Sequence, residues 1–493
     1  MQPLHGQTCR AFRRALGAVH LAAFGSLWVQ LHGLVGERGV RPAVEFLERA
    51  AAHFAERGET AALSMPTLAW LFGAGDVALH AYCALGFCAG LVLLFAPIGG
   101  RFAVPALGVA YVAYLTLLPL GAEFLRFQWD LLLLESTFAA LFYTPRFAPS
   151  VWIPRLVLFK LMLSSGVVKL QSGDPTWSGF TALDYHYWTQ PIPHLGAYYA
   201  HHAPGHALST ALTLGIELLC PFLLLLRPSW AFWPFAVLLG GIALTGNYGF
   251  FGLLTLALCL PLLPDAQLDT WTRRLFRRPP RPELPPAPPE PSAPPDPRPP
   301  TPAMRRLLPW APCAFFVVLN AAQVATLTAR RTPDSWAHGV RAALVEPFDG
   351  WSIINGYGLF ARMTTDRLEI TLEGSADGET WRPYTFRYKP DPHAPHLRVA
   401  GPHMPRLDWQ MWFAALGECR RNPWLVRLQE RLLDGEPTVR ALFQVDPFPD
   451  TPPTRLRTRV SRARFAPWED GPGWRFEALG DYCPVVERTS VSG

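Results

Sequence analysis

The sequence predicts a polytopic α-helical membrane protein of about nine spans with a C-terminal β-rich, β-sandwich-like domain outside the cytoplasm. Three observations favour this fold class. Half of the 493 residues are hydrophobic and only 17% are charged, against about 25% in a typical soluble domain. Apolar stretches recur from residue 12 to residue 263. After residue 330, apolar residues begin to alternate with polar ones, as in β-strands.

The apolar stretches define the membrane domain, which is predicted over residues 1–264. A helix needs about 20 mostly apolar residues to cross a bilayer. Several candidate segments are shorter than this, so the count is approximate. The candidates are 12–35, 76–97, 102–120, 127–143, 154–170, 208–226, 230–246, 248–263 and, apart from the others, 307–329. Residues 61–73 are apolar but short and contain Pro66, which predicts a re-entrant or interfacial segment.

An Arg- and Pro-rich linker is predicted over residues 265–306, before the last span. Its most biased part, residues 273–306, has a Pro content that neither a helix interior nor a central strand tolerates. Extended polyproline is therefore expected, and a spacer is favoured over a ligand for SH3-type domains.

The distribution of Arg predicts the orientation, because cytoplasmic loops are enriched in Lys and Arg. With the N-terminus in the cytoplasm, nine spans place the linker there too. Residues 171–207, which contain no Lys or Arg, and the domain over residues 330–493 then lie together on the opposite side. The loop after the first span, with four Arg, is an exception. The net charge of +6 is therefore interpreted as a topology signal, and no nucleic-acid partner is predicted.

The C-terminal domain begins with a predicted β-hairpin. Residues 367–374 and 380–390 alternate and flank a turn at 375–378. Residues 406–421 are predicted to form a helix, with Leu407, Met411 and Ala414 on one face.

The eight cysteines include no CxxC pair, which argues against a zinc or thioredoxin-like site. Cys419 and Cys483 lie in the polar C-terminal part. They would be able to pair in an oxidising compartment, and remaining as buried free thiols is the alternative.

Ionisable residues inside spans are costly and therefore worth attention. Asp130 and Glu135 are five residues apart, so they do not share a helix face and are not interpreted as an acid–base pair. Arg126 is four residues from Asp130 and is able to pair with it. A buried ion pair or a helix cap that locks helices together is favoured for these carboxylates.

Lys169 is the strongest catalytic candidate, with Asp184 and His186 as assisting groups. A desolvated lysine at the outer end of a span is able to act as a base or nucleophile. The favoured alternative is an ion pair between Lys169 and Asp174 or Asp184. Lys160, near the cytoplasmic end of the same span, is expected to snorkel. The spacing of His186 and the following histidines fits no standard metal-ligand set.

Other polar and aromatic residues are candidates for a cavity or an interface. Glu217, Asn247 and Tyr248 either bond helix to helix or line a cavity. The sequence indicates no particular cofactor. The full candidate set is Asp130, Glu135, Asp174, Trp177, Tyr185, Glu217, Asn247, Tyr248, Arg406, Asp408 and Trp409.

Long motifs resemble the lipase maturation factor family over nearly the whole chain except the linker. They include FQWDLLLLES at 127–136, KLQSGDPTWSGFTALDYHYWTQPIP at 169–193 and NGYGLFARMTTDRLEITLEGSADGETWRPYTFRYKP at 355–390. The resemblance implies a polytopic protein of the endoplasmic reticulum membrane that helps secreted lipases reach an active, assembled state. Its C-terminal domain would face the lumen. In a bacterium, the corresponding site would be the inner membrane facing the periplasm.

A shorter stretch, SGVVKLQ…W at 165–177, is similar to vitamin K-dependent γ-glutamyl carboxylases. In that family the lysine that matches Lys169 is the catalytic base. Val168 stands where the carboxylases have a second lysine, so the resemblance implies a similar membrane fold rather than the same reaction.

Three functions follow as hypotheses. The first is a maturation factor for an exported client, lipase-like by resemblance. The alternative is a membrane enzyme with Lys169 as base, acting on a client or a lipid-soluble substrate. A transporter is disfavoured, because no inverted repeat is evident.

Overall fold

The computed structural model describes residues 5–95, 101–275, 307–328, 336–395 and 397–488. The first nine described α-helices in the chain are α1 Gly6–Trp28, α2 Leu31–Val35, α3 Ala43–Glu56, α4 Ala61–Ser64, α5 Ala69–Phe72, α6 Asp76–Phe95, α7 Ala103–Leu120, α8 Gln128–Phe142 and α9 Trp152–Gln171. Eight follow: α10 Pro175–Ser178, α11 Ala182–Thr189, α12 Leu195–His202, α13 His206–Leu226, α14 Pro228–Thr245, α15 Phe251–Cys259, α16 Asp265–Leu275 and α17 Ala311–Thr328.

Six of the described helices are long and apolar enough to cross a membrane, namely α6, α7, α9, α13, α14 and α17. Within the described residues, each of the nine predicted segments is mostly helical, but a count of about nine spans is not confirmed. Helix α8 has only 15 residues and α15 only 9. Helix α1 carries Arg13 and Arg14 and ends at Trp28, before the short α2. The predicted linker starts with α16, and its remainder, residues 276–306, lies outside the described residues.

The two ends of the helix bundle have different contacts. At one end, Thr8 Oγ1 donates to Asp265 Oδ1 at 2.6 Å, and Arg13 Nη2 donates to the Tyr143 carbonyl at 2.8 Å. At the other end, Gln30 Nε2 donates to the Met404 carbonyl at 2.9 Å. The start of α1 therefore lies at the end of the bundle opposite to the C-terminal domain.

The C-terminal domain combines one described sheet with helices. Its strands are β1 Leu368–Ser375, β2 Arg382–Tyr384, β3 Arg455–Phe465 and β4 Trp474–Glu487, and its helices are α18 Trp336–Leu344, α19 Arg406–Ala415, α20 Pro423–Leu433 and α21 Pro437–Arg440. The strand order is β2-β1-β3-β4, and all pairs are antiparallel. The β1–β2 pairing confirms the predicted hairpin in part, because β2 ends at Tyr384 rather than near residue 390. One four-stranded sheet with helices does not confirm a sandwich.

Strand β1 is buried on both faces, which the alternation did not predict. Ile370 and Leu372 are fully buried on one face, while Glu369 and Thr371 are buried on the other. The Glu369 carboxylate accepts from Arg367 Nε at 2.8 Å and pairs with Lys389 Nζ at 2.9 Å. Because both cations are also buried, the charge of Glu369 is neutralised within the protein.

The predicted amphipathic helix is confirmed in part. Leu407, Met411 and Ala414 are all buried, but α19 ends at Ala415 rather than near residue 421. Shortly after it, Cys419 forms a disulfide with Cys483 of β4. The pairing alternative is therefore the one that the structure shows, and it fixes the end of this helix to the sheet.

Candidate functional site

An ion pair between the two domains lies at the start of α8. The guanidinium of Arg406 donates two bonds of 2.8 Å to the carboxylate of Asp130, and neither side chain is exposed. The Tyr114 hydroxyl donates to the same carboxylate at 2.6 Å. Asp130 is thus in a buried ion pair, as favoured, but its partner is Arg406 and not Arg126, which is exposed.

One turn further along α8, Glu135 forms a second buried connection. Lys160 Nζ donates to its carboxylate at 2.5 Å, and the Tyr357 hydroxyl donates at 2.6 Å. The backbone N–H of Asn355 donates at 3.0 Å. The expectation that Lys160 snorkels is wrong, because its side chain is fully buried and its ammonium is held by Glu135. The segment before β1 therefore reaches into the helix bundle.

The Lys-free segment over residues 171–207 contacts the C-terminal domain, as predicted. Arg367 donates to the carbonyls of Trp188 at 3.0 Å and Pro191 at 2.8 Å, and also to that of Gln190. Trp412 Nε1 donates to the Thr189 carbonyl at 2.9 Å. Backbone carbonyls at the end of α11 are thus satisfied by the C-terminal domain, which holds the two parts together.

Asp174 extends this contact to the start of the segment. Its carboxylate accepts from the backbone N–H of Met363 at 2.6 Å and of Thr176 at 2.8 Å. Partial burial acts to raise the pKa of Asp174, but these hydrogen bonds hold it below its ordinary value. Nearby, the buried Trp177 donates to the Phe360 carbonyl at 3.0 Å.

Asn247 and Asp408 also have structural partners. Asn247 Nδ2 donates to the Arg398 carbonyl at 2.7 Å, and its Oδ1 accepts from the Ala400 N–H at 2.8 Å. The Asp408 carboxylate accepts from the N–H groups of Tyr388 and Lys389, while burial raises the pKa of Asp408. Asn247 therefore connects the domains, and Asp408 fixes a loop.

A cavity of about 680 Å³ lies between the membrane domain and the C-terminal domain. Helices α9, α13 and α14 form its walls, with residues 358–362 and α19 on the opposite side. Six of the predicted site residues line it: Lys169, Trp177, His186, Glu217, Tyr248 and Trp409. Asp184 and Tyr185 do not.

Lys169 is held inside this cavity by an acid from another helix. Its Nζ lies 2.8 and 2.7 Å from the two carboxylate oxygens of Glu217 and 5.1 Å from the centre of the Trp177 ring. The ion-pair interpretation of Lys169 is therefore correct, but the predicted partners, Asp174 and Asp184, are wrong.

The three residues of the catalytic hypothesis, Lys169, Asp184 and His186, do not form one hydrogen-bonded group. The His186 imidazole lies 3.1 Å from the Tyr248 hydroxyl, whereas Asp184 lies 2.7 Å from His206 Nδ1. Burial, and then the Lys169 ammonium, lower the pKa of His186 to about 4. His186 is therefore neutral near pH 7. Among the described residues, no group of His, Cys, Asp and Glu is suited to hold a metal ion.

Both halves of the chain match families. Residues 7–270 match the lipase maturation factor transmembrane domain, and residues 353–484 match the lipase maturation factor C-terminal domain. The chain belongs to the lipase maturation factor family. Together with the six candidate spans, this membership makes it an integral membrane protein.

Named relatives in this family are similar over most of their length. "Lipase maturation factor 2" of Gallus gallus is 32% identical over 96% of this chain and 80% of its own. The Homo sapiens protein of that name is 32% identical over 96% and 82%. "Lipase maturation factor 1" of Homo sapiens is 29% identical over 96% and 86%. No solved structure matches the chain.

The buried group of Arg367, Glu369 and Lys389, which joins β1 to the 188–191 turn, was not predicted from the sequence. The available signal was the charge of Arg367 and Glu369 at the start of one predicted strand and of Lys389 in the other strand of the predicted hairpin. Strand alternation assigns such positions to solvent, so only the position of the membrane domain reveals them as buried.

Proposed function

We propose that this chain is a maturation factor of the endoplasmic reticulum membrane that assists folding or assembly of exported proteins such as secreted lipases. The observation that carries the proposal is the match of both domains to one family, whose members are named for lipase maturation. A lumenal position for the C-terminal domain is consistent with the disulfide between Cys419 and Cys483, which is typical of an oxidising compartment.

The arrangement of the two domains supports a client-binding role. The segment over residues 171–207 and the C-terminal domain form a joint surface, in which Tyr199 and Trp468 are 48% and 56% exposed with ring centroids 5.9 Å apart. Exposed aromatic side chains of this kind are frequent anchors in protein interfaces. We infer that this surface contacts the client.

The experiment is restoration of lipase secretion. In cells that lack their own lipase maturation factor and express a secreted lipase, this chain should restore lipase activity in the medium. Tyr199→Ala/Trp468→Ala should reduce the restored activity several-fold, since interface anchors of this type contribute about 2 kcal/mol or more each. Trp336→Ala, at another exposed tryptophan of the C-terminal domain, is the matched control. Absence of restoration by a chain that reaches the membrane would refute the proposal.

One observation favours the enzymatic alternative: Lys169 and His186 line a cavity of substrate size. Against it, the Lys169 ammonium is bonded to both oxygens of Glu217. A single substitution of Lys169 would leave Glu217 buried and unpaired, which costs about 3–5 kcal/mol. Lost activity would then have two explanations.

The double substitution Lys169→Met/Glu217→Leu separates them. Replacing a buried pair by apolar residues of similar volume is often neutral for stability. If the chain is a maturation factor alone, this variant should restore lipase secretion to the wild-type level. If Lys169 is a catalytic base, the variant should be equally abundant and inactive.

A further inference from the structure

The cavity between the two domains has an apolar part and a polar part. Along α9, the lining residues run from Leu161 through Ser165 to Lys169, a distance of about 12 Å on the helix axis. Leu161 lies near the middle of this span and Lys169 at the end next to the C-terminal domain. The volume of about 680 Å³ lies within the range of small-molecule sites, about 300–1,000 Å³.

The cavity reaches the surface that faces the bilayer. Leu212 of α13 and Val237 of α14 line it, yet these side chains are 55% and 68% exposed. Both belong to candidate spans. Because exposed apolar side chains on spans contact lipid, part of the cavity lining on α13 and α14 faces the bilayer.

Two buried hydrogen-bond donors in the wall have no acceptor among the described residues. The indole N–H groups of Trp129 and Trp409 have no hydrogen-bond partner within the described part of the chain, and these side chains are 3% and 2% exposed. Both residues line the cavity. A buried donor without a partner is costly, so an acceptor oxygen on a ligand would satisfy it.

The polar part also carries two cations outside the ion pairs that the described residues form. Arg126 and Arg362 line the cavity, and both are exposed. Asp174 lies close enough to Arg362 for their charges to interact. Guanidinium groups match phosphate oxygens through paired N–H donors.

The backbone at this site is strained in two places. Arg126 has φ of 71° and Phe360 has φ of 52°, in a region that non-glycine residues rarely adopt. Both residues line the cavity. Backbone strain of this kind is concentrated at functional sites, where the surrounding structure maintains it.

We propose that the cavity binds one anionic phospholipid of the membrane. One acyl chain lies against the apolar wall of α9, α13 and α14, and the other chain remains in the bilayer beside Leu212 and Val237. Ester oxygens accept from the indole N–H groups, and the phosphate contacts Arg126 and Arg362. This site does not depend on a client, so it is independent of the proposed function.

The test uses the full chain, stripped of lipid in detergent and incubated with phosphatidylglycerol or phosphatidylcholine of identical acyl chains. Native mass spectrometry measures the retained lipid. We expect one phosphatidylglycerol per chain, held roughly tenfold more tightly than phosphatidylcholine. Equal retention of the two lipids, or retention of neither, would overturn the proposal.

Two glycines of α14 provide a matched pair of variants. Gly241 lines the cavity and Gly240 does not, and a Cβ on either meets no atom within 4 Å. Gly241→Trp should therefore reduce phosphatidylglycerol retention by roughly tenfold, while Gly240→Trp retains it. Equal retention by both variants would contradict the site.

The headgroup is tested by Arg126→Gln/Arg362→Gln, which should abolish the preference for phosphatidylglycerol. Arg464→Gln, at an exposed arginine of β3, is the control. A second readout needs no variant, namely crosslinking by phosphatidylglycerol with a diazirine in one acyl chain. Crosslinks to residues 161–169 and 209–217 would support the site. Crosslinks confined to the lipid-facing side of α13, around Leu219, would refute it.

Discussion

Arg406 and Asp130 lie 276 residues apart in the sequence and form a two-bond ion pair in which neither side chain is exposed. The pair joins the first helix of the C-terminal domain after the hairpin to the start of α8 in the membrane domain. The C-terminal domain is therefore fixed to the helix bundle by buried charge, and the aromatic surface at Tyr199 and Trp468 has a defined geometry.

Removing one partner of this pair should strongly destabilise the protein. Arg406→Met leaves the Asp130 carboxylate buried with only the Tyr114 hydroxyl and the Phe127 N–H as donors. We expect a loss of about 3–5 kcal/mol in the free energy of unfolding. Thermal unfolding of the purified chain in detergent measures it, and Arg406→Met/Asp130→Leu should recover part of the loss.

A second ion pair between the domains is the control. Arg427 pairs with Glu45 at 2.5 Å, but the side chains are 38% and 40% exposed. Solvent screens such a pair, so Arg427→Met should cost at most about 1 kcal/mol. Equal losses for Arg406→Met and Arg427→Met would show that burial does not determine the strength of the domain contact.

The disulfide between Cys419 and Cys483 should add stability and report the compartment. It closes a loop with a sequence separation of 64, and the loop-entropy relation gives a contribution of about 4 kcal/mol. In protein from cells, a maleimide reagent of high mass should label these two cysteines only after reduction. Cys419→Ser/Cys483→Ser should unfold at a lower temperature. Labelling without a reductant would argue against a lumenal C-terminal domain.

Secondary structure was predictable from the sequence where a local residue pattern determines it. Alternation around the 375–378 turn predicts the β1–β2 hairpin, because successive side chains of a strand point to opposite faces. Which face of each membrane helix packs against its neighbours was not predictable in the same way. A helix that is apolar on all sides gives no indication of which face packs inward.

The partner of Lys169 was unpredictable for the same reason, because the sequence does not show which helix faces pack together. Lys169 and Glu217 were both candidates, but they lie 48 residues apart on different helices, and only packing of α9 against α13 selects this pairing over Asp174. Lys160 illustrates the opposite error. Its position near a helix end suggested solvent, whereas the 352–357 segment descends to cover its partner Glu135.

Acidification should destabilise the domain contact through His403. Its imidazole lies 3.0 Å from the Ser26 hydroxyl, and burial, followed by Arg406 and Arg387, lowers its pKa to about 4. Because this pKa is below the ordinary 6.5, the unfolded chain binds the proton first. Stability is therefore full above about pH 6.5 and falls towards pH 4, by at most about 1.4 kcal/mol per pH unit for this group.

The measurement is the unfolding midpoint between pH 7.5 and pH 4.5. His403→Asn should lower the midpoint at neutral pH and reduce its pH dependence. His53→Asn, at an exposed histidine of α3, is the control and should keep the wild-type profile. The pKa values of His186 and His201 are also lowered by burial, so the variant should retain part of the acid sensitivity. An unchanged slope in His403→Asn would contradict the assignment.

Close packing of α1 on α6 should make one glycine indispensable. A Cβ on Gly86 would lie 2.0 Å from Cζ of Phe24, and Phe24 is fully buried against the Tyr114 ring, with centroids 5.3 Å apart. The phenyl ring cannot move away without disturbing Tyr114, which donates to Asp130. Gly86→Ala should therefore cost about 1–3 kcal/mol by overpacking.

Gly108 of α7 supplies the comparison, since a Cβ there meets no atom within 4 Å. Gly108→Ala should stabilise the protein by about 0.5–1 kcal/mol, because alanine loses less backbone entropy in a helix than glycine. The two substitutions are chemically identical, so opposite shifts in the unfolding midpoint would isolate the contact with Phe24. Gly86→Ala/Phe24→Leu should recover part of the loss, and equal midpoints for the two single variants would mean that α1 and α6 are not packed this closely.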